Sequence, residues 1–154
     1  MYTYHYDSKL GRITLTSDGE AISGLWFDDS HSITDAEVKR LPIFDEAEEW
    51  LNIYFSGKAP DFTPKLKMSG SDFRLSVWNV LLTIPYGHTM TYSEVADRLK
   101  TGSARAVGGA VSHNPIAIIV PCHRVIGSNG KLTGYAGGIE RKRELLKLEK
   151  IRAN

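Results

Sequence analysis

Cysteine is nearly absent from this chain of 154 residues: Cys122 is the only one. A lone thiol excludes an internal disulfide, and the missing cysteine pairs exclude the zinc sites built on them. The five histidines (His5, His31, His88, His113 and His123) are scattered rather than clustered, so no metal is expected. No apolar run approaches the length of a membrane span, and no charged-then-apolar leader opens the sequence. Internal repeats and low-complexity tracts are missing as well. What remains is an ordinary soluble composition, 42% hydrophobic and 24% charged, long enough for two small domains with a real core. An unpaired thiol suits a reducing cytoplasm, and a cytoplasmic monomer without membrane contact is expected.

Net charge is low, at +1, but it is unevenly spread. Residues 1–70 carry 7 Lys/Arg against 12 Asp/Glu, a net of −5. Residues 71–154 carry 12 against 6, a net of +6. A polyanion would therefore meet the second half, with the acidic half turned away.

Along the chain, residues 2–6 alternate as a strand does, Ile13 and Leu15 continue the pattern, and Ser17-Asp18-Gly19 turns it. Ala21 to Phe27 reads as a further strand, so a small antiparallel sheet is expected. From Pro42 the period becomes helical, with Phe44, Ala47, Leu51, Tyr54 and Phe55 on one face. The turn-rich stretch 56–64 is the expected domain boundary, giving 1–64 and 65–154. Beyond it, Ser71 caps a helix whose buried face is Phe73, Val77, Val80 and Leu81, with Trp78 beside the stripe. Thr91-Tyr92-Ser93-Glu94 reads as a capping box. The helix behind it turns at Lys100-Thr101-Gly102 into a second one, capped by Ser103 and running from Ala104 to about His113. That pair predicts a helix-turn-helix. An Asn129-Gly130 hairpin over residues 125–133 would supply a wing. A final helix, about Ile139 to Ile151, carries Leu145, Leu146 and Leu148 as its core residues.

The second helix of that pair has almost no side-chain bulk: Ala104, Ala106, Gly108, Gly109 and Ala110 surround a single projecting cation, Arg105. Each of the two glycines costs about 1 kcal/mol of helix propensity against alanine. Close packing on another helix and close approach to a ligand explain them equally well.

The organising stretch is Ile116 to Gly127. Its apolar run predicts a buried strand that ends at Pro121 and presents Cys122. A lone cysteine is more often a small buried hydrophobe than a nucleophile. Here His123 and Arg124 follow it, a basic setting that favours the reactive thiolate.

Pro121-Cys122-His123-Arg124-Val125 resembles the acceptor motif of the O6-alkylguanine-DNA alkyltransferases. The likeness extends in order through Pro85-Tyr86-Gly87, Thr91-Tyr92, Ala104 to Ala110, Asn114-Pro115, Gly134 to Gly138, and Leu145-Leu146 with Glu149. The resemblance implies an α/β fold: a small N-terminal ribonuclease H-like α/β domain plus a mostly helical C-terminal winged helix-turn-helix domain. It implies direct-reversal repair, in which an alkyl group passes once and irreversibly from O6-alkylguanine in double-stranded DNA to Cys122. No cofactor and no metal are implied; some members carry an N-terminal zinc, and this sequence lacks the cysteines for it. His123 would take the thiol proton through a water, Glu149 would orient the imidazole, and Tyr92 would protonate the leaving base. Asn114 would tie the turn to the histidine and cysteine. Contact with DNA would fall to Arg105, Ala104, Ala106, Gly108, Gly109, Thr91 and Arg124, in the minor groove, with Arg105 filling the gap left by an extruded nucleotide. Tyr135, Ala136, Gly137 and Val125 would wall the pocket. Ala136 stands where some members have serine, which leaves backbone N–H groups as donors to the guanine oxygen. Binding would be independent of sequence and sensitive to salt. The range of alkyl groups, and whether O4-alkylthymine is also a substrate, stay open.

Three other readings compete. A lesion sensor would lack the acceptor cysteine. A plain winged-helix regulator leaves the cysteine motif without purpose. A thiol hydrolase would need a dyad that neighbouring residues on one strand form poorly.

Overall fold

The alternating residues near the start of the chain form the expected antiparallel sheet. The computed structural model describes residues 1–30, 35–100 and 103–151, and the chain divides into two units, Met1–Met68 and Ser69–Asn154. In the first unit, β1 (Tyr2–Ser8), β2 (Gly11–Ser17) and β3 (Ile22–Phe27) run as an antiparallel meander. A two-residue strand that the sequence did not announce, β4 (Glu37–Val38), adds parallel to β1 and sets the order β3-β2-β1-β4.

β2 is flanked on both sides, and Ile13 to Ser17 are all buried. Its polar residues there are satisfied: Thr14 bonds Asp28, and Thr16 Oγ1 lies 3.0 Å from Ser23 Oγ. A Cβ on Gly24 would sit 2.5 Å from Thr16 Oγ1 and 2.6 Å from the Trp26 ring, which explains a glycine inside a strand. Helix α1 (Pro42–Phe55) opens on a proline, whose missing N–H would have had no partner in the first turn. Its predicted face is buried, together with Ile43 and Trp50. Tyr4 stacks on Phe44 and Tyr6 on Phe55, which fastens the helix to β1.

The second unit contains α2 (Asp72–Leu81), β5 (Met90–Thr91), α3 (Tyr92–Leu99), α4 (Ala104–Ser112), β6 (Val125–Ile126) and α5 (Ile139–Leu148). Ser71 caps α2 by accepting from the Arg74 N–H. Trp78, not Phe73, completes the buried face of that helix: it is enclosed, and its indole N–H donates to the Ala110 carbonyl at 2.8 Å. That bond ties α2 to α4. Thr91 and Glu94 form the expected capping box of α3, with both reciprocal bonds present at 3.0 and 3.1 Å. Helix α3 ends at Lys100 in the left-handed conformation; the predicted turn at Thr101-Gly102 lies outside the described residues. Ser103 caps α4 through the Ala106 N–H.

Three expectations are corrected. The apolar run 116–120 is not a strand. The hairpin over 125–133 has no ladder of its own: β6 pairs parallel with β5, and the Asn129-Gly130 turn is closed by Gly127 N–H to the Lys131 carbonyl at 2.9 Å. Helix α5 stops at Leu148, with Glu149 as its C-cap and Lys150 left-handed at φ 64°. Among the described residues no helix is long and apolar enough to cross a membrane.

Candidate active site

A strand requires partners, and among the described residues the sheet of the second unit is the two-residue ladder of β5 and β6. The run from Ile116 to Val120 is instead folded into a series of turns closed by local backbone bonds. Ile119 N–H donates to the Ala117 carbonyl at 2.8 Å, Val120 to Ile116 at 3.1 Å, and Cys122 to Val120 at 2.8 Å. Asn114 staples the segment: its Nδ2 donates to the Val120 carbonyl at 2.8 Å, and its Oδ1 accepts from Ile116 N–H at 3.0 Å. Ile118 adopts φ +69°, rare for a β-branched residue. Pro121 leads into a single 3-10 turn, Cys122–Arg124, so the cysteine sits on a helical turn and not on a strand end. Its residue exposure is 7%, low but not zero.

His123 is fully buried, and its Nε2 lies 2.6 Å from Glu149 Oε2. Glu149 is 2% exposed and also receives Arg124 Nε at 2.8 Å, Arg124 Nη2 at 3.2 Å and the Gly87 N–H at 3.1 Å. Arg124 Nη1 donates to the Ile84 carbonyl at 2.7 Å, and the guanidinium lies 5.8 Å from the Tyr86 ring centre. The expectation that Arg124 contacts DNA is corrected here. Its guanidinium is buried and used internally, because a carboxylate enclosed at this depth needs a fixed counter-charge.

The charge states follow from these contacts. Burial opposes ionisation of Glu149, yet the bonds from His123 and Arg124 prevail and hold its carboxyl at about 2. Burial pushes the His123 imidazole down, against the pull of Glu149, so the neutral ring is favoured. Burial pushes the Cys122 thiol up, while hydrogen bonding from Asn114 and the charge of Lys142 act the other way. Burial, and then the negative charge of an ionised Cys122, raise the Tyr135 phenol well above its usual value. That hydroxyl is itself buried with no hydrogen-bond partner among the described residues.

The β5–β6 pairing, Met90 with Val125 and Thr91 with Ile126, brings the start of α3 beside the cysteine segment. Tyr92, the first residue of α3, is half-buried, and its hydroxyl accepts from Thr133 Oγ1 at 3.1 Å. Thr91 has its hydroxyl oxygen engaged by the Glu94 N–H. Of the expected pocket residues, Val125 is enclosed, Tyr135 and Gly137 are half-buried and Ala136 is exposed. On α4, Val107, Ala110 and Val111 face inward. Arg105, Ala106 and Gly109 are exposed. A Cβ on Gly109 would meet nothing within 4 Å, and one on Gly108 would only touch the Tyr92 ring at 3.9 Å. Close helix packing therefore does not explain the paired glycines.

Lys142 was missed in the sequence. It is fully buried, and its Nζ donates to the Val125 carbonyl at 2.7 Å and the Thr133 carbonyl at 2.8 Å. Burial lowers its pKa to about 8. A signal was present: Lys142, Leu145, Leu146 and Glu149 stand at i, i+3, i+4 and i+7, a single stripe of the last helix. Two charges in an apolar stripe mark buried polar work. Among the described residues no group of three or more His, Cys, Asp or Glu could hold a metal ion.

Residues 1–68 match the family model described as 6-O-methylguanine DNA methyltransferase, ribonuclease-like domain. Residues 72–151 match that described as 6-O-methylguanine DNA methyltransferase, DNA binding domain. A methylated-DNA–protein-cysteine methyltransferase of Mycobacterium tuberculosis is 50% identical, over 97% of this chain and 94% of its own. That of Methanosarcina acetivorans is 47% identical, over 97% and 98%. The solved structure of Mycobacterium tuberculosis OGT in complex with DNA aligns with a TM-score of 0.91 at 50% identity, covering 99% of this chain and 95% of that one.

Proposed function

The chain belongs to the 6-O-methylguanine DNA methyltransferase family, and on that premise we propose how its residues share the work of the reaction. The reaction is direct reversal: an alkyl carbon on guanine O6 moves to a cysteine sulfur, and guanine is restored within the DNA. Cys122, the sole cysteine, is the acceptor.

Glu149 is ionised and His123 neutral, so the proton in their 2.6 Å contact belongs to Nε2. Nδ1 then carries the lone pair that takes the thiol proton, through a water molecule. The thiolate attacks the alkyl carbon in line. A sulfur–carbon bond forms, and the carbon–O6 bond breaks with its electron pair left on the guanine. Tyr92 gives its hydroxyl proton to the departing base, and the proton taken from Cys122 balances that loss through solvent. A thioether is not hydrolysed as an ester is, so each molecule reacts once.

A cysteine this deeply set cannot reach an alkyl group inside a duplex, so the nucleotide must leave the stack. Helix α4 approaches the minor groove with its bare face, Arg105 fills the vacated space, and Thr91 with the exposed small residues lies along the backbone. Tyr135, Ala136 and Gly137 form the wall around the turned-out base, and the enclosed Val125 backs it. A thiol consumed in this way suits the reducing cytoplasm.

The observation that carries this reading is the residue next to the sulfur: His123, bonded to a buried, ionised Glu149. The test is to incubate the protein with a duplex bearing O6-methylguanine and weigh the peptide containing Cys122. One permanent methyl increment per molecule is expected. Duplex binding with no increment would leave a sensor instead, and repeated turnover would point to a hydrolase.

A further inference from the structure

Tyr92 is anchored at both ends. Its backbone follows the Thr91–Glu94 capping box, and its hydroxyl accepts from Thr133 Oγ1 at 3.1 Å. A phenol has one proton to give. With Thr133 donating to the oxygen, that proton is directed elsewhere, and receiving one hydrogen bond strengthens the donation of another. Thr133 is held in its turn: its carbonyl takes the 2.8 Å bond from Lys142, whose other bond goes to the Val125 carbonyl, three residues past Cys122. The tip of Tyr92 is thus tied through Thr133 and Lys142 to the segment that carries the sulfur.

We propose that Thr133 is a positioning residue for the protonation of the departing guanine: its hydroxyl aims the Tyr92 proton into the pocket and then steadies the phenolate left behind. The inference rests on the reading that Tyr92 protonates the leaving base. In the ground state the Thr133 hydroxyl donates to a neutral phenol. As Tyr92 gives up its proton, the same bond becomes charge-assisted, and such bonds are stronger. An interaction that strengthens only as the reaction proceeds speeds the chemical step without tightening DNA binding.

The test compares Thr133→Val, which keeps shape and carbonyl but loses the donor, with Thr133→Ser, which retains it. Tyr92→Phe and the double variant Tyr92→Phe/Thr133→Val complete the set. Single-turnover methyl transfer from an O6-methylguanine duplex is timed, and alkylation of Cys122 by iodoacetamide, whose iodide leaves without a proton, is timed beside it. Thr133→Val should slow methyl transfer by about tenfold, and Thr133→Ser should stay within about twofold of the parent. Duplex affinity and the iodoacetamide rate should not move, and the double variant should be no slower than Tyr92→Phe. If Tyr92→Phe is slow while Thr133→Val transfers at the parental rate, the role of Thr133 is refuted and that of Tyr92 stands. If Tyr92→Phe itself reacts normally, the proton-donor reading falls and takes this inference with it. Equal losses in both reactions of Thr133→Val would also overturn the proposal, since general damage to the site moves both.

Discussion

Glu149→Gln exchanges one oxygen for an amide nitrogen and should cost the second unit a large part of its stability. The carboxylate receives four bonds, from His123 Nε2 at 2.6 Å, Arg124 Nε at 2.8 Å, Arg124 Nη2 at 3.2 Å and Gly87 N–H at 3.1 Å. An amide has one accepting oxygen, so its NH2 group must face a donor, and Arg124 is left buried without its counter-ion. Two routes give similar magnitudes. A carboxyl held at about 2, instead of the ordinary 4.5, contributes about 3 kcal/mol at neutral pH. Removing one partner of a buried ion pair costs about 3–5 kcal/mol. Urea unfolding would detect either as a midpoint lowered by about 1–3 M. The reporter should be the fluorine signal of 5-fluorotryptophan at Trp78, because Trp26 and Trp50 lie in the first unit. The pH dependence has a definite sign. A depressed carboxyl stabilises fully above 4.5, and the contribution is lost as pH falls through 2. The gap between parent and variant should therefore close over that window. A Trp78 midpoint that hardly moves at pH 7, or a gap unchanged in acid, would refute the argument. Methyl transfer by the folded variant should also drop, by about a hundredfold, because the imidazole loses the partner that fixes its tautomer.

Other expectations concern different parts of the second unit. Arg105→Ala should weaken duplex binding and lower the slope of log affinity against log salt by about 1, read by fluorescence anisotropy at several salt concentrations. Gly109→Ala should stabilise α4 by about 0.5–1 kcal/mol, since nothing obstructs the added methyl, yet slow repair if that face meets DNA. Thermal melting and transfer kinetics on the same sample separate the two effects. Lys142→Met removes the cation that lowers the thiol pKa, so the midpoint of Cys122 alkylation by iodoacetamide should move to higher pH.

Much of this architecture was legible because it is local. Ser71, Thr91 and Ser103 cap their helices as their side chains dictate, and α1 follows its apolar period from Pro42. Where the sequence misled, the missing information was long-range. An apolar run such as Ile116 to Val120 reads as a strand, but whether it becomes one depends on neighbouring strands, and among the described residues the sheet of the second unit is the two-residue ladder of β5 and β6. Arg124 looked like a cation for phosphate because its carboxylate, Glu149, lies far along the chain. Lys142 passed for one more basic residue of a charged helix, although its place in the stripe with Leu145 and Leu146 marked it as interior. Without the resemblance, Glu149 reads as solvated for the same reason.

The left-handed conformation of Ile118 has a consequence for how the protein fails. A β-branched residue held there costs about 1–3 kcal/mol, and the Asn114 staple, the Val120-to-Ile116 backbone bond and the enclosing side chains keep it in place. Warming should loosen this bend before the helices separate, because a locally opposed segment opens at lower free energy than the unit as a whole. The ageing protein would then lose its chemistry while still looking folded: methyl-accepting capacity would decline at temperatures where the Trp78 signal has not yet changed.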